Sequence, residues 1–283
     1  MLMLEAVLQY RFLQYAIATG ILASVLGAVI GVIVVEKRLV MMSGGITHTA
    51  YGGVGLGYLA GFEPMIGAFA FAIAAALGMG YIKRKGTFKS DVIIGLFWSL
   101  GMALGVLFIS MMKGYPPDLS SYLFGNILSV GLTDFTIMAL VTAVVLLIVV
   151  IFFNYWKAYL FDDKFAEIRG ISVPVMDYLI FVMIAVSAVA MIRVTGIILV
   201  IALLTAPAAA ASLLTAGLGK RMVIAGILGT FFTMGGLWVS YMLDISTGAS
   251  IVILAVISYF LIWSAVRILA VNAGGRVRNK WMS

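Results

Sequence analysis

Cysteine is absent from the 283 residues, histidine occurs once, and Asp, Glu, Lys and Arg together make up only 10% of the chain. The first absence excludes disulfides and thiolate metal ligands, while saying nothing of the redox compartment. The lone histidine, His48, rules out a closed multi-histidine metal site within one copy, and with no thiol and no paired carboxylate there is no constellation for catalysis. A phosphate-binding G-x-x-x-x-G-K-[ST] is also missing, the nearest string being GLGKRM around Lys220, so the chain has no cradle for hydrolysing ATP by that route.

The shortage of charge excludes most. Hydrophobic residues make up 64% of the sequence, more apolar surface than a soluble domain of this length can hide. Apolar runs repeatedly reach the ~20 residues a helix needs to cross a bilayer. They fall near residues 12–35, 44–61, 62–82, 92–112, 133–155, 174–194, 195–216, 222–243 and 249–266. The expected fold is an all-α integral membrane protein of about nine transmembrane helices, or eight if one of the Gly-rich segments between residues 44 and 82 is re-entrant. No linker or separate soluble domain interrupts residues 1–283, which read as one membrane domain. Met1 to Arg11 lacks the basic start and small-residue cleavage site of a cleavable signal.

The net charge of +7 is a topology signal rather than a mark of nucleic-acid binding. With the first span running outside to inside, cytoplasmic segments collect every basic residue except Arg11, Lys113 and Arg193, out of 18 in all. That bias predicts the N-terminus outside and the C-terminus in the cytoplasm. Gly27 and Gly31, Gly53 and Gly57, Gly57 and Gly61, and Gly101 and Gly105 fit the small-xxx-small spacing of closely packed helices. Pro207, in the middle of LLTAPAAAASLL, lacks a backbone N–H and predicts a kink, in a helix that either lines a path or simply packs.

Two segments concentrate the polar chemistry. Between Trp156 and Val173, Phe161, Phe165 and Ile168 recur at i, i+4 and i+7, opposite Asp162, Asp163, Lys164, Glu167 and Arg169, with Gly170 as a stop. This is a short amphipathic helix that either lies on the membrane interface or docks a cytoplasmic partner. The other segment is MSGGITHTAYGGVGLGYLAG, where Ser43, Thr47, His48 and Thr49 open an apolar span. An imidazole at membrane depth is a functional candidate and a good ligand for zinc or manganese, against the plainer reading of a helix-to-helix hydrogen bond. Two copies in a symmetric dimer would double the ligands.

The order of these landmarks carries a resemblance. VVEKRLVMMSGGITHTAYGGVGLGYLAG, KRKGTFKSDVIIGLFWS, SSYLFGNILSV, FDDKFAEIRGISV, GIILVIALLTAPAAAA and LDISTGASIVIL follow one another as in the permease subunits of the ABC transporters that import zinc, manganese and related divalent metals. The resemblance runs nearly end to end. It implies a fold like type II ABC importers, in a prokaryotic plasma membrane, with a second copy of the chain around a central path. It also implies a cytoplasmic ATPase dimer that uses the ATP and an extracytoplasmic metal-binding protein that delivers the cargo. By the same resemblance, Phe161, Asp162, Phe165, Ala166, Glu167 and Gly170 form the coupling helix, His48 meets the metal, and Ser43, Thr47, Thr49 and Pro207 are candidates for the path. The cargo metal is then the substrate, and the chain itself holds no cofactor.

One departure stands out. Permeases of this type carry an acidic residue four positions before the histidine, and this chain has Gly44 there. A helix puts residues 44 and 48 on one face, so a hard oxygen ligand is missing beside the imidazole. A nucleotide-independent secondary transporter or channel for cations is the alternative function. It predicts buried ion-coupling pairs, whereas Glu36, Asp91, Asp134, Asp177 and Asp244 all fall near span ends. Tyr122 to Val130, after Pro116, Pro117 and Asp118, is expected at the outer face, with Tyr122 and Phe124 as interfacial anchors or part of a docking surface, and Arg193 snorkelling to the same interface.

Overall fold

In lipid a chain must satisfy its backbone polar groups internally, and every regular element among the described residues is helical. The computed structural model describes residues 10–86, 90–113, 122, 125 and 127–272. The helices are α1 (Arg11–Glu36), α2 (Val40–Ala60), α3 (Pro64–Lys85), α4 (Ser90–Ser110), α5 (Leu132–Ile151), α6 (Phe153–Phe161), α7 (Asp163–Ile168), α8 (Val173–Leu214), α9 (Leu218–Leu243) and α10 (Thr247–Asn272), with a 3₁₀ turn at Ile127–Ser129. Pro116, Pro117, Asp118, Phe124 and the side chain of Arg193 lie outside the described residues, as does most of the segment before Arg11.

Eight spans are long and apolar enough to cross a membrane, and α8 supplies two of them, Val173–Ile192 and Val194–Leu214. α2 is not among these eight, yet its 21 residues reach about 31 Å at 1.5 Å per residue, the length of a crossing. Glycine, serine and threonine lower its hydropathy, not its length. It tolerates them because it is enclosed by other helices rather than by lipid.

The chain alternates between two ends. Glu36 and Lys37, the basic tail of α3 (Lys83, Arg84 and Lys85), and α6 with α7 share one end, called here the basic end. α8 starts beside Tyr159 of α6, and Thr215, just past its last residue, accepts a bond from Arg221 next to Glu36, so both ends of α8 lie there. The chain must therefore double back within α8, and it does so at Gly196, with φ 74° and ψ 161°, a conformation open to glycine alone. Gly125 fits against this reversal so closely that a Cβ on it would stand 2.2 Å from the Thr195 carbonyl carbon. Gly196 is the only residue inside α8 with non-helical dihedrals, so the element turns there and not at Pro207, where a kink was expected. Pro207 continues the helix, buried, and the carbonyl it cannot bond, that of Leu203, faces the backbone of Gly27, where an added Cβ would stand 3.1 Å from it.

Close backbone approach dominates the packing of α2. A Cβ on Gly53 would lie 2.0 Å from the Gly67 carbonyl oxygen of α3, so only glycine permits this crossing. α4 packs on the opposite flank, with Gly101 against Thr49 and Gly105 against Tyr51. Of the predicted small-residue pairs, Gly61 does not pack at all. It sits at φ 75° as the C-cap of α2, with nothing within 4 Å of its Cβ position.

Candidate functional site

From Met42 to Gly55, every residue of α2 is buried except His48. Its imidazole stacks on the indole of Trp98 from α4, centroids 3.9 Å apart and planes 15° from parallel. Its Nδ1 is buried without a hydrogen-bond partner among the described residues, the condition of a ring nitrogen with a lone pair or proton left to offer. Gly44 lies one turn earlier on the same face, where an added Cβ would meet Trp98 Cζ3 at 3.3 Å and Ile201 Cδ1 at 3.7 Å. The volume beside His48 that a longer residue 44 would need is thus taken by the indole of Trp98. Sequence reading missed Trp98, because nothing in a helix 50 residues away announces which aromatic turns toward a lone histidine.

The other polar candidates of α2 are tied to its own backbone. Ser43 Oγ donates to the Val40 carbonyl at 2.8 Å and Thr47 Oγ1 to the Ser43 carbonyl at 2.7 Å. Thr49 Oγ1 lies 2.7 Å from the Gly45 carbonyl oxygen and 3.0 Å from that of Phe97 on α4. All three are buried, so their protons are engaged and only oxygen lone pairs remain. Pro207 is elsewhere, near Gly229 of α9 and Ser24 of α1. The structure therefore gathers Gly44, His48, Trp98 and Ile201, and leaves Pro207 apart from them. No group of three or more His, Asp or Glu that could hold a metal occurs among the described residues.

At the basic end, the expected single amphipathic helix is two. Asp162, at φ −163° and ψ 137°, ends α6 and N-caps α7, its carboxylate accepting from Phe165 N at 2.8 Å. An Asp just before a short apolar pattern is an N-cap signal, so this break was available from sequence. Phe161 thus closes α6 while Phe165 sits on α7, yet their rings still meet edge to face at 5.5 Å. From the last residue of α6 through α7 the large apolar side chains face outward: Phe161 is 78% exposed and Ile168 85%, whereas the small Ala166 is fully buried. Phe165 and Glu167 are also exposed, and Gly170 ends the unit at φ 75°. A core helix turns its large residues inward, and this one does the reverse. Beside it, Asn154, Lys157, Phe161, Phe165 and Arg169 line an open hollow of about 560 Å³.

Behind this unit the contacts are polar and specific. Tyr159, buried, donates to Asp177 Oδ1 at 2.5 Å. Burial, that bond and the charges of Asp177 and Asp163 raise the phenol above its ordinary range, so it stays protonated and remains a donor.

The sequence model of the ABC 3 transport family matches residues 9–266. The chain belongs to that family. It is 36% identical over 261 residues to the manganese transport system membrane protein MntC of Listeria monocytogenes, covering 92% of this chain and 93% of that one. It is 32% identical to the manganese import system permease protein ScaB of Streptococcus parasanguinis, covering 92% of each. Among solved structures it resembles PsaBC from Streptococcus pneumoniae in complex with Fab, with a TM-score of 0.83, 33% identity, and coverage of 92% of this chain and 93% of that one. The chain is thus a multi-pass transport protein and not an enzyme.

Proposed function

We propose that this protein is the membrane permease of an ATP-driven importer for divalent transition metals, with manganese the first cargo to test and zinc the second. The observation that carries this reading is the single opening in the otherwise buried stretch from Met42 to Gly55 of α2: His48, held flat by Trp98, in a chain matched over 92% of its length by a manganese transport membrane protein. An imidazole suits manganese and zinc alike, and Gly44 leaves the carboxylate partner to be supplied from outside the protomer or not at all. The half-open His48 face is where a second copy would meet this one across a shared path, pairing two imidazoles. The exposed Phe161, Phe165 and Ile168 surface would seat a separate cytoplasmic ATPase, with Glu167 at its edge and Asp162 and Gly170 fixing the helix that carries it. The basic end would then be cytoplasmic, with the N-terminus outside, and a metal-binding protein would deliver cargo at the opposite end of the molecule.

Four of the five acidic groups that the secondary-transport alternative would use for ion coupling are engaged at helix ends, the partly buried pair of Glu36 with Arg221 among them. Asp134 accepts from Gly131 N at the start of α5, Asp177 binds Tyr159, Glu36 binds Arg221, and Asp244 caps the end of α9. The test is uptake of radiolabelled manganese and zinc into proteoliposomes holding this chain, its partner ATPase and its binding protein. ATP-dependent uptake is expected; uptake that ignores ATP contradicts the proposal.

A further inference from the structure

At the junction of α1 and α2, Glu36 and Lys37 touch three other helices directly and a fourth, α8, through their partners, and neither belongs to the His48 face or to the exposed face of α7. Lys37 Nζ lies 2.5 Å from Oδ1 of Asp163, the first residue of α7. The same ammonium stands 3.6 Å from the ring centroid of Tyr159 on α6, and Tyr159 passes the connection on to Asp177 of α8. On the other side of the turn, Glu36 accepts from Arg221 Nη1, while Arg221 Nε donates to the Thr215 carbonyl at 2.7 Å. That second contact pins the turn to the junction of α8 and α9.

An isolated surface ion pair stabilises little. Lys37 is different, because its side chain is only 18% exposed against 59% for Asp163, and it is held between a carboxylate and a buried aromatic face. The turn itself is stiff. Lys37 N bonds the Ile33 carbonyl, Arg38 N the Val35 carbonyl and Leu39 N the Val34 carbonyl, so the hydrogen bonding of α1 continues to Leu39, whose own carbonyl accepts from Ser43 N in the first turn of α2. Arg38 adopts φ 55°, which a non-glycine residue holds only where the surroundings fix it. α2 starts directly afterwards, and His48 lies eight residues beyond Val40, about 12 Å along a helix too closely packed to bend.

We infer that the α1–α2 turn links displacement of α7 to the helix that carries His48, with Lys37 as the positioning residue that grips α7 and the Glu36–Arg221 pair as the fixed anchor. This inference rests on the reading of α7 as the ATPase-docking element. A pull on Asp163 moves Lys37, Lys37 moves the first turn of α2, and the glycine contacts of α2 carry the movement as a rigid shift rather than a local distortion.

The test uses the complete transporter in proteoliposomes, with ATP hydrolysis and manganese uptake read on the same vesicles for Lys37→Met, Lys37→Arg and Asp163→Asn. Lys37→Met should hydrolyse ATP at nearly the normal rate while manganese carried per ATP falls about tenfold. Asp163→Asn should show a smaller loss, and Lys37→Arg should restore transport, since a guanidinium keeps both the carboxylate and the ring contact. Normal manganese per ATP in Lys37→Met and Asp163→Asn would overturn the link while leaving the ATPase-docking reading intact. Should Lys37→Met fail to assemble, the exposed Asp163→Asn decides alone. Wild-type uptake that ignores ATP would instead remove the docking reading and the link with it.

Discussion

The middle of α2 and the basic end of the molecule hold themselves together by opposite means. Around Gly53 and Gly67, backbones touch, side-chain hydroxyls bond their own helix, and no charge is present. At the basic end, charged groups far apart in sequence make the contacts: Lys37 with Asp163, and Glu36 with Arg221. Dispersion between close backbones is short-ranged and leaves no second arrangement at low cost. Ion pairs and a cation over a ring hold over a wider range of positions. The chain keeps these two kinds of contact apart, backbone against backbone in the middle of α2 and charge against charge at the basic end.

The sharpest way to break this comparison is to put a side chain where backbones touch. Gly53→Val should cost about 3 kcal/mol or more, because its Cβ would overlap the Gly67 carbonyl of a neighbouring helix that cannot yield. Thermal melting in detergent should show a large downward shift or no folded peak at all. A melting curve like the wild type would mean α2 and α3 are not in the contact described.

An intermediate effect is expected at the site itself. Gly44→Asp must push the Trp98 ring aside and leave a carboxylate among apolar neighbours, a destabilisation of about 1–3 kcal/mol. Adding Trp98→Ala should recover part of that loss by making room. If the double substitution is as unstable as the sum of the two single ones, Trp98 is not what occupies the space beside residue 44.

The smallest effect on stability belongs to the basic end. Asp162→Ala removes the N-cap of α7, worth about 1 kcal/mol to that short helix. Global melting should barely move, while affinity for the partner ATPase, measured by co-elution or calorimetry, should fall. A reversed order, with Asp162→Ala melting the whole protein, would collapse the distinction between the two regions.

Much of this was legible in the sequence, and the reasons are physical. Length and hydropathy located the eight spans that are long and apolar enough to cross a membrane, including the division of α8 near residue 195, because a 42-residue apolar run is too long for one crossing. The glycine spacing of α2 and α4 pointed to close packing, although Gly61 followed the same spacing and serves as a cap. The Phe161, Phe165 and Ile168 pattern revealed an apolar face but not the break at Asp162, since periodicity ran straight through it. Partners distant in the chain were invisible: Trp98 for His48, and Asp163, 126 positions from Lys37. A lone lysine or tryptophan has no local signature of what it will touch, and only the folded arrangement supplies one.

The central claim is that metal passes the imidazole on α2, and the most direct measurement is ATP-driven manganese uptake by His48→Ala beside the wild type, with melting temperature and ATPase assembly checked on the same preparations. The account predicts a folded, assembled variant whose uptake falls at least about tenfold, the scale of one lost ligand-type contact to a charged group. Uptake equal to the wild type would contradict it, and would reduce the stack on Trp98 to helix packing.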